Sequence, residues 1–80
     1  MVDVIYTDKF EKEVKKLDSS IKIKVIKQIE KIIQSPHIGK PLRYDLKGEK
    51  TIYVKPYRII YALNKDALTF LRVEHRKDVY

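Results

Sequence analysis

The sequence predicts a single α+β domain of order β-α-α-β-β-β, a twisted, mainly antiparallel sheet with a two-helix hairpin packed on one face. Three observations predict it. Apolar residues recur at helical spacing through the first third of the chain, and from residue 40 onward the period falls to two. Both Gly and all three Pro lie between 36 and 56, which puts the breaks in the middle. Eighty residues leave room for one domain, 1–80, with a thin core and no repeat or linker.

Taken in order, Val2-Asp3-Val4-Ile5-Tyr6 is β-branched and bounded by polar residues, a short first strand. Asp8-x-x-Glu11 reads as a capping box, with Phe10, Val14 and Leu17 on one helical face, so a first helix runs from about 8 to 17. Asp18-Ser19-Ser20 offers new N-caps. Ile21, Val25, Ile29, Ile32 and Ile33 then form an apolar stripe, and Ser35-Pro36 ends the second helix. β-Branched residues favour strands individually, but strict alternation fails at Val25-Ile26 and Ile32-Ile33, so helical period decides. Leu42, Tyr44 and Leu46 alternate before a turn at Lys47-Gly48-Glu49. Thr51–Val54, Tyr57–Leu63 and Leu68–Glu74 alternate between short turns, an antiparallel meander.

Composition narrows the function. Lys plus Arg is 18 against 11 acids, a net charge of +7. Residues 1–34 carry 8 bases and 6 acids, residues 35–80 carry 10 and 5, and all four arginines lie in the second part with five of the six tyrosines. That mixture suits phosphate contact and base stacking on a polyanion, although an acidic protein partner also fits. The absence of Cys excludes disulfides and thiolate chemistry. Two widely separated His without clustered acids make a dedicated metal site a poor fit, and neither Gly belongs to a nucleotide-binding fingerprint. The serines sit at helix boundaries, where capping explains them. No apolar run approaches a membrane span and no signal-peptide layout opens the chain, so the reading is soluble and intracellular, without membrane or cofactor. An enzyme of this composition is expected to be metal-free and to act on a polyanion.

Alternation sorts the side chains by face. Ile52, Val54, Ile59 and Tyr61 form the apolar surface the helices need. Arg58 then falls on the opposite face with Thr51 and Tyr53. Two accounts of Arg58 stand side by side: a cross-strand ion pair with Glu74 or Asp66, or a guanidinium aimed at phosphate. At the C-terminus His75 stands beside Arg76 and is followed by Tyr80, three groups able to bind phosphate or move a proton, whereas His37 in its loop reads as structural.

The segment Pro41-Leu42-Arg43-Tyr44-Asp45-Leu46-Lys47-Gly48, the strand Tyr57-Arg58-Ile59-Ile60-Tyr61 and the end His75-Arg76-Lys77-Asp78-Val79-Tyr80 resemble the RelE/ParE superfamily, toxins of type II toxin–antitoxin systems with a RelE-like, microbial-ribonuclease-like fold. The resemblance covers essentially the whole chain. Its RelE branch implies a small cytoplasmic toxin, a ribosome-dependent endoribonuclease that cuts mRNA in the A site by attack of the substrate's 2′-hydroxyl on the adjacent phosphate, without metal. It implies Arg58 and Arg76 as stabilisers of the phosphorane, Tyr80 as a stacking or orienting group and His75 as a proton-transfer group. Substrate contacts fall to Arg43, Lys47, Lys50, Thr51, Tyr53 and Lys55. Thr51 and Tyr53 stand where well-known members carry two lysines, which leaves Tyr53, His75 or a displaced lysine as the base. The resemblance also implies an acidic, RelB-like antitoxin that wraps the toxin. Two other readings stay open: a ParE-like toxin that inhibits DNA gyrase without cutting RNA, and a basic RNA-binding module without catalysis.

Overall fold

The computed structural model describes residues 3–41 and 48–75. Its elements are β1 (Asp3–Tyr6), α1 (Asp8–Lys15), α2 (Ser19–Gln34), β2 (Lys40–Pro41), β3 (Glu49–Val54), β4 (Tyr57–Asn64) and β5 (Ala67–His75). The strands form one sheet in the order β1-β5-β4-β3-β2. β3, β4 and β5 are the expected antiparallel meander, while β1 joins β5 in parallel. The added two-residue β2 pairs with Thr51 and Lys50 at the other edge. The alternation at 42–46 lies outside the described residues.

Local chemistry sets the helix starts. Thr7, not Asp8, is the N-cap of α1: its hydroxyl accepts the Phe10 N–H at 3.1 Å, leaving Asp8 and Glu11 in the first turn against the helix dipole. Asp18 caps α2, accepting the Ile21 N–H at 3.0 Å. That hydrogen bond is the main reason its carboxyl is held below the ordinary range. Val25, Ile29 and Ile32 of the predicted stripe are buried; Ile21 is partly so and Ile33 is exposed. With Phe10 and Leu17 they cover Val54, Ile59, Tyr61, Leu68, Phe70 and Val73 of the sheet.

The centre of this core is aromatic. Phe70 stacks on Tyr6 (5.3 Å between centroids) and meets Phe10 and Tyr61. Tyr61 is fully buried. Its hydroxyl accepts the Gly39 N–H at 2.9 Å and donates to the Pro36 carbonyl at 2.8 Å, so one side chain fixes the loop after α2. Burial pushes the Tyr61 phenol up, against the pull of the Gly39 N–H. Gly39 is required there, because a Cβ would strike the Tyr61 hydroxyl.

A bulge in β5 sets the direction of the strand's last side chains. Ile60 pairs with Arg72 and Tyr61 with Phe70, so Leu71 faces no partner on β4. Leu68 and Phe70 point into the core. Simple alternation would send Arg72 and Glu74 there as well. The extra residue shifts the phase: Val73 takes the core position, and Arg72 and Glu74 turn to the helix-free side. α1 satisfies the backbone groups the bulge disturbs. The Thr7 hydroxyl donates to the Leu71 carbonyl at 2.9 Å and the Glu13 carboxylate accepts the Val73 N–H at 2.9 Å.

Candidate functional site

On the helix-free face, cross-strand register builds a row in which Tyr53 lies opposite Arg58 and Arg58 opposite Glu74. The next row is Thr51, Ile60 and Arg72. Arg58 therefore occupies the face alternation assigns it, in the middle strand.

Arg58 meets a carboxylate there. Its Nη2 and Nε donate to Glu74 Oε1 at 2.7 and 3.1 Å. Arg72 Nε donates to the other oxygen, Oε2, at 2.7 Å, and Arg72 Nη2 stands 3.9 Å from Glu49 Oε1. Two guanidinium groups thus converge on the two oxygens of one anion. Burial pushes the Glu74 carboxyl up, but hydrogen bonds from Arg72 and Arg58 outweigh it and hold the group below its ordinary range. The cross-strand ion pair with Glu74 is the account of Arg58 that the geometry shows, with side-chain exposures of 23 % and 36 % that leave the pair open to solvent on one side.

Other expected site residues separate. His75 pairs with Tyr57, their rings edge-on at 4.9 Å, in a cleft lined by Glu13, Lys16 and Leu17. That is the helix side of the sheet. His75 does not share a face with Arg58, because the bulge that turns Glu74 outward turns its neighbour inward. Thr51 is buried at 5 % exposure and its hydroxyl has no hydrogen-bond partner among the described residues, so it does not meet a substrate from the surface. Ile60 and Ala62 beside it are buried too, and this part of the helix-free face is closed. Lys50 falls by alternation on the helix side, opposite Tyr61 and Pro41. Tyr53 is exposed at the edge of the Arg58 row, and Lys55 is exposed in the turn after β3. Arg43, Lys47, Arg76 and Tyr80 lie outside the described residues.

The reading of the sequence missed Arg72. Its signal was present in the apolar pattern Leu68, Phe70, Leu71, Val73, where two adjacent apolar residues break the alternation and mark the phase shift.

Chemically, this face can hold a planar or tetrahedral oxyanion between two forked donors, with an aromatic ring beside it. Among the described residues no cluster of His, Asp or Glu suited to a metal ion occurs, and no helix is long and apolar enough to cross a membrane.

Known proteins share this architecture. The family described as the ParE toxin of type II toxin–antitoxin systems, parDE, matches residues 4–80. Among solved structures, the chain is similar to the toxin–antitoxin complex RelBE2 from Mycobacterium tuberculosis, at 28% identity over 94% of this chain and 98% of that one, with a TM-score of 0.77. It is similar to the RelB–RelE antitoxin–toxin complex from Methanococcus jannaschii, at 26% identity over 95% of this chain and 94% of that one, TM-score 0.77. The intact E. coli RelBE complex shares the fold, at 18% identity, 94% and 96% coverage and a TM-score of 0.79. No curated protein matches the chain.

Proposed function

The chain belongs to the ParE toxin family and is the toxin of a type II toxin–antitoxin system, and from that premise we propose that it is a ribosome-dependent endoribonuclease that cuts mRNA in the A site. The observation that carries this reading is the convergence of Arg58 and Arg72 on one carboxylate. Glu74 fills a seat whose donors match the two non-bridging oxygens of a phosphodiester. A message entering this face displaces the carboxylate and takes its hydrogen bonds.

The substrate's own 2′-hydroxyl gives up its proton to a base and attacks the adjacent phosphorus, the bond to the 5′ oxygen breaks, that oxygen takes a proton from solvent, and a 2′,3′-cyclic phosphate and a 5′-hydroxyl result. Arg58 and Arg72, joined by Arg76, stabilise the charge that builds on the phosphorane oxygens, a service worth about 10²–10³ in rate for one well-placed donor. Tyr53, on the same face one strand away, is the candidate base. Tyr80 stacks on a base of the message. Arg43 and Lys47 complete the substrate contacts. The partner that silences the toxin is an acidic, RelB-like antitoxin, attracted by the net charge of +7, and the site of action is the cytoplasm, where ribosomes carry message.

A ParE-like reading, inhibition of DNA gyrase without cleavage, is favoured by one feature: β3 presents no lysine on the Arg58 face, where Thr51 is buried and Tyr53 stands instead. Ribosomes programmed with a defined A-site codon decide between them. The nuclease reading expects message ending in a cyclic phosphate, and Arg58→Ala lowering the cut by about 10²–10³ while the fold persists. Intact message together with lost gyrase supercoiling would replace it with the ParE-like reading.

A further inference from the structure

The positive charge on the sheet face is largely spent internally, since Arg58 and Arg72 are met by Glu74 and Glu49. A second surface carries charge that no salt bridge among the described residues ties up. Between α2 and the open edge of β3 lies a groove of about 290 Å³ lined by Lys24, Lys27, Lys31, Lys55, Gln28 and Tyr53. Among the described residues no acidic side chain lines it. Among them, too, none of the four lysines is held in a salt bridge, and all four are exposed.

Lys24, Lys27 and Lys31 follow one face of α2 at spacings of three and four residues, and at about 1.5 Å per residue they span about 10 Å along the helix. Lys55 faces them from the turn after β3. Tyr53 stands at the mouth, 41 % exposed and beyond the two β3 residues that β2 covers. It is also the cross-strand neighbour of Arg58. The groove therefore ends where the Arg58 row begins.

We infer that this lysine groove binds the backbone of single-stranded RNA and delivers it, over the ring of Tyr53, to Arg58. Lysines that track phosphates beside an aromatic side chain that stacks on a base form a sequence-tolerant grip on a single strand. Capture and chemistry then fall to different surfaces: four exposed ammonium groups collect the strand, and the two forked guanidinium groups receive one phosphate. The inference rests on the nuclease reading for its substrate, and its test is separable from that reading.

The test titrates a fluorescently labelled single-stranded RNA oligonucleotide with the full chain across a range of salt. Lys24→Gln/Lys27→Gln/Lys31→Gln is compared with Lys9→Gln/Lys12→Gln/Lys65→Gln, which removes the same charge elsewhere. All six positions are exposed, and thermal melts verify folding. The groove variant is expected to lose at least tenfold in affinity and to flatten the slope of log K against log salt by about 2, three contacts at about 0.7 each. Tyr53→Leu is expected to lose about tenfold with the slope unchanged. Equal losses in the two triple variants would mean diffuse attraction and overturn the inference. So would an unaltered RNA affinity in a groove variant that no longer binds a polyglutamate peptide, since the groove would then dock an acidic protein. Failure of the wild-type chain to cut message on ribosomes refutes the nuclease reading, while the salt slopes still decide whether the groove grips RNA.

Discussion

Glu74 is the residue on which the oxyanion seat turns, and Glu74→Gln perturbs it with little change of shape. The substitution keeps an oxygen for Arg58 or Arg72 but removes the negative charge that each guanidinium faces at 2.7 Å. Charge-assisted hydrogen bonds are worth about 1.5–3 kcal/mol when shielded. Here Glu74 is 36 % exposed and Arg58 and Arg72 are 23 % and 30 % exposed, so solvent screening reduces the net value of the pair to about 1 kcal/mol. The fold should weaken by that amount, a fall of about 4–8 °C in Tm for a domain of this size. RNA affinity should move the other way. A phosphodiester no longer competes with a tethered carboxylate, and about 1 kcal/mol corresponds to roughly fivefold tighter binding. Fluorescence anisotropy with a short single-stranded RNA at fixed ionic strength measures this, and Arg58→Ala in the same background should erase the gain. An affinity that is unchanged or lower in a folded Glu74→Gln protein would show that the carboxylate is scaffold and that no phosphate takes its place.

Stability against pH should carry the same signature. The folded-state pKa of Glu74 is depressed, so its contribution is present above the ordinary carboxylate range and disappears as pH falls through the depressed value. Urea midpoints of wild type and Glu74→Gln should converge in acid and separate toward neutrality; a constant gap would assign the shift elsewhere. Tyr61→Phe strips the partner from the buried Gly39 N–H and should cost about 2 kcal/mol in urea unfolding. A cost under about 0.5 kcal/mol would mean that the loop finds another partner. Thr51→Val removes a buried hydroxyl without a hydrogen-bond partner among the described residues, and should be neutral or stabilising by up to about 1 kcal/mol. A destabilisation of similar size would refute the orphaned state of that oxygen.

Most of the architecture was legible in the sequence because hydrophobic period tracks burial. The stripe through Val25, Ile29 and Ile32 and the alternation through Ile52, Val54, Ile59 and Tyr61 are the two halves of the core. Helix starts were legible to within a residue. Thr7 won the cap over Asp8 because its hydroxyl also serves a strand sixty-four positions away, a demand no local pattern reveals. The face of Arg58 was legible for the same reason as the core. What it touches was not decided by alternation alone, which left Glu74 as one of two accounts. The positions of Arg72 and His75 were hidden by the bulge at Leu71: one inserted residue exchanges the faces of everything after it, bringing an unsuspected arginine to the site and taking the expected histidine away. Thr51 was misjudged because alternation tells which face a residue shares and not how deeply it is covered there.

That inserted residue also ties together two sides of the molecule that a sheet would ordinarily insulate from each other. The kink is fastened from below by the first helix, through the Thr7 hydroxyl and the Glu13 carboxylate, while Arg72 and Glu74 ride on its upper side. The side chains that present an anion seat on one surface therefore owe their phase to two groups that grip the strand from the other.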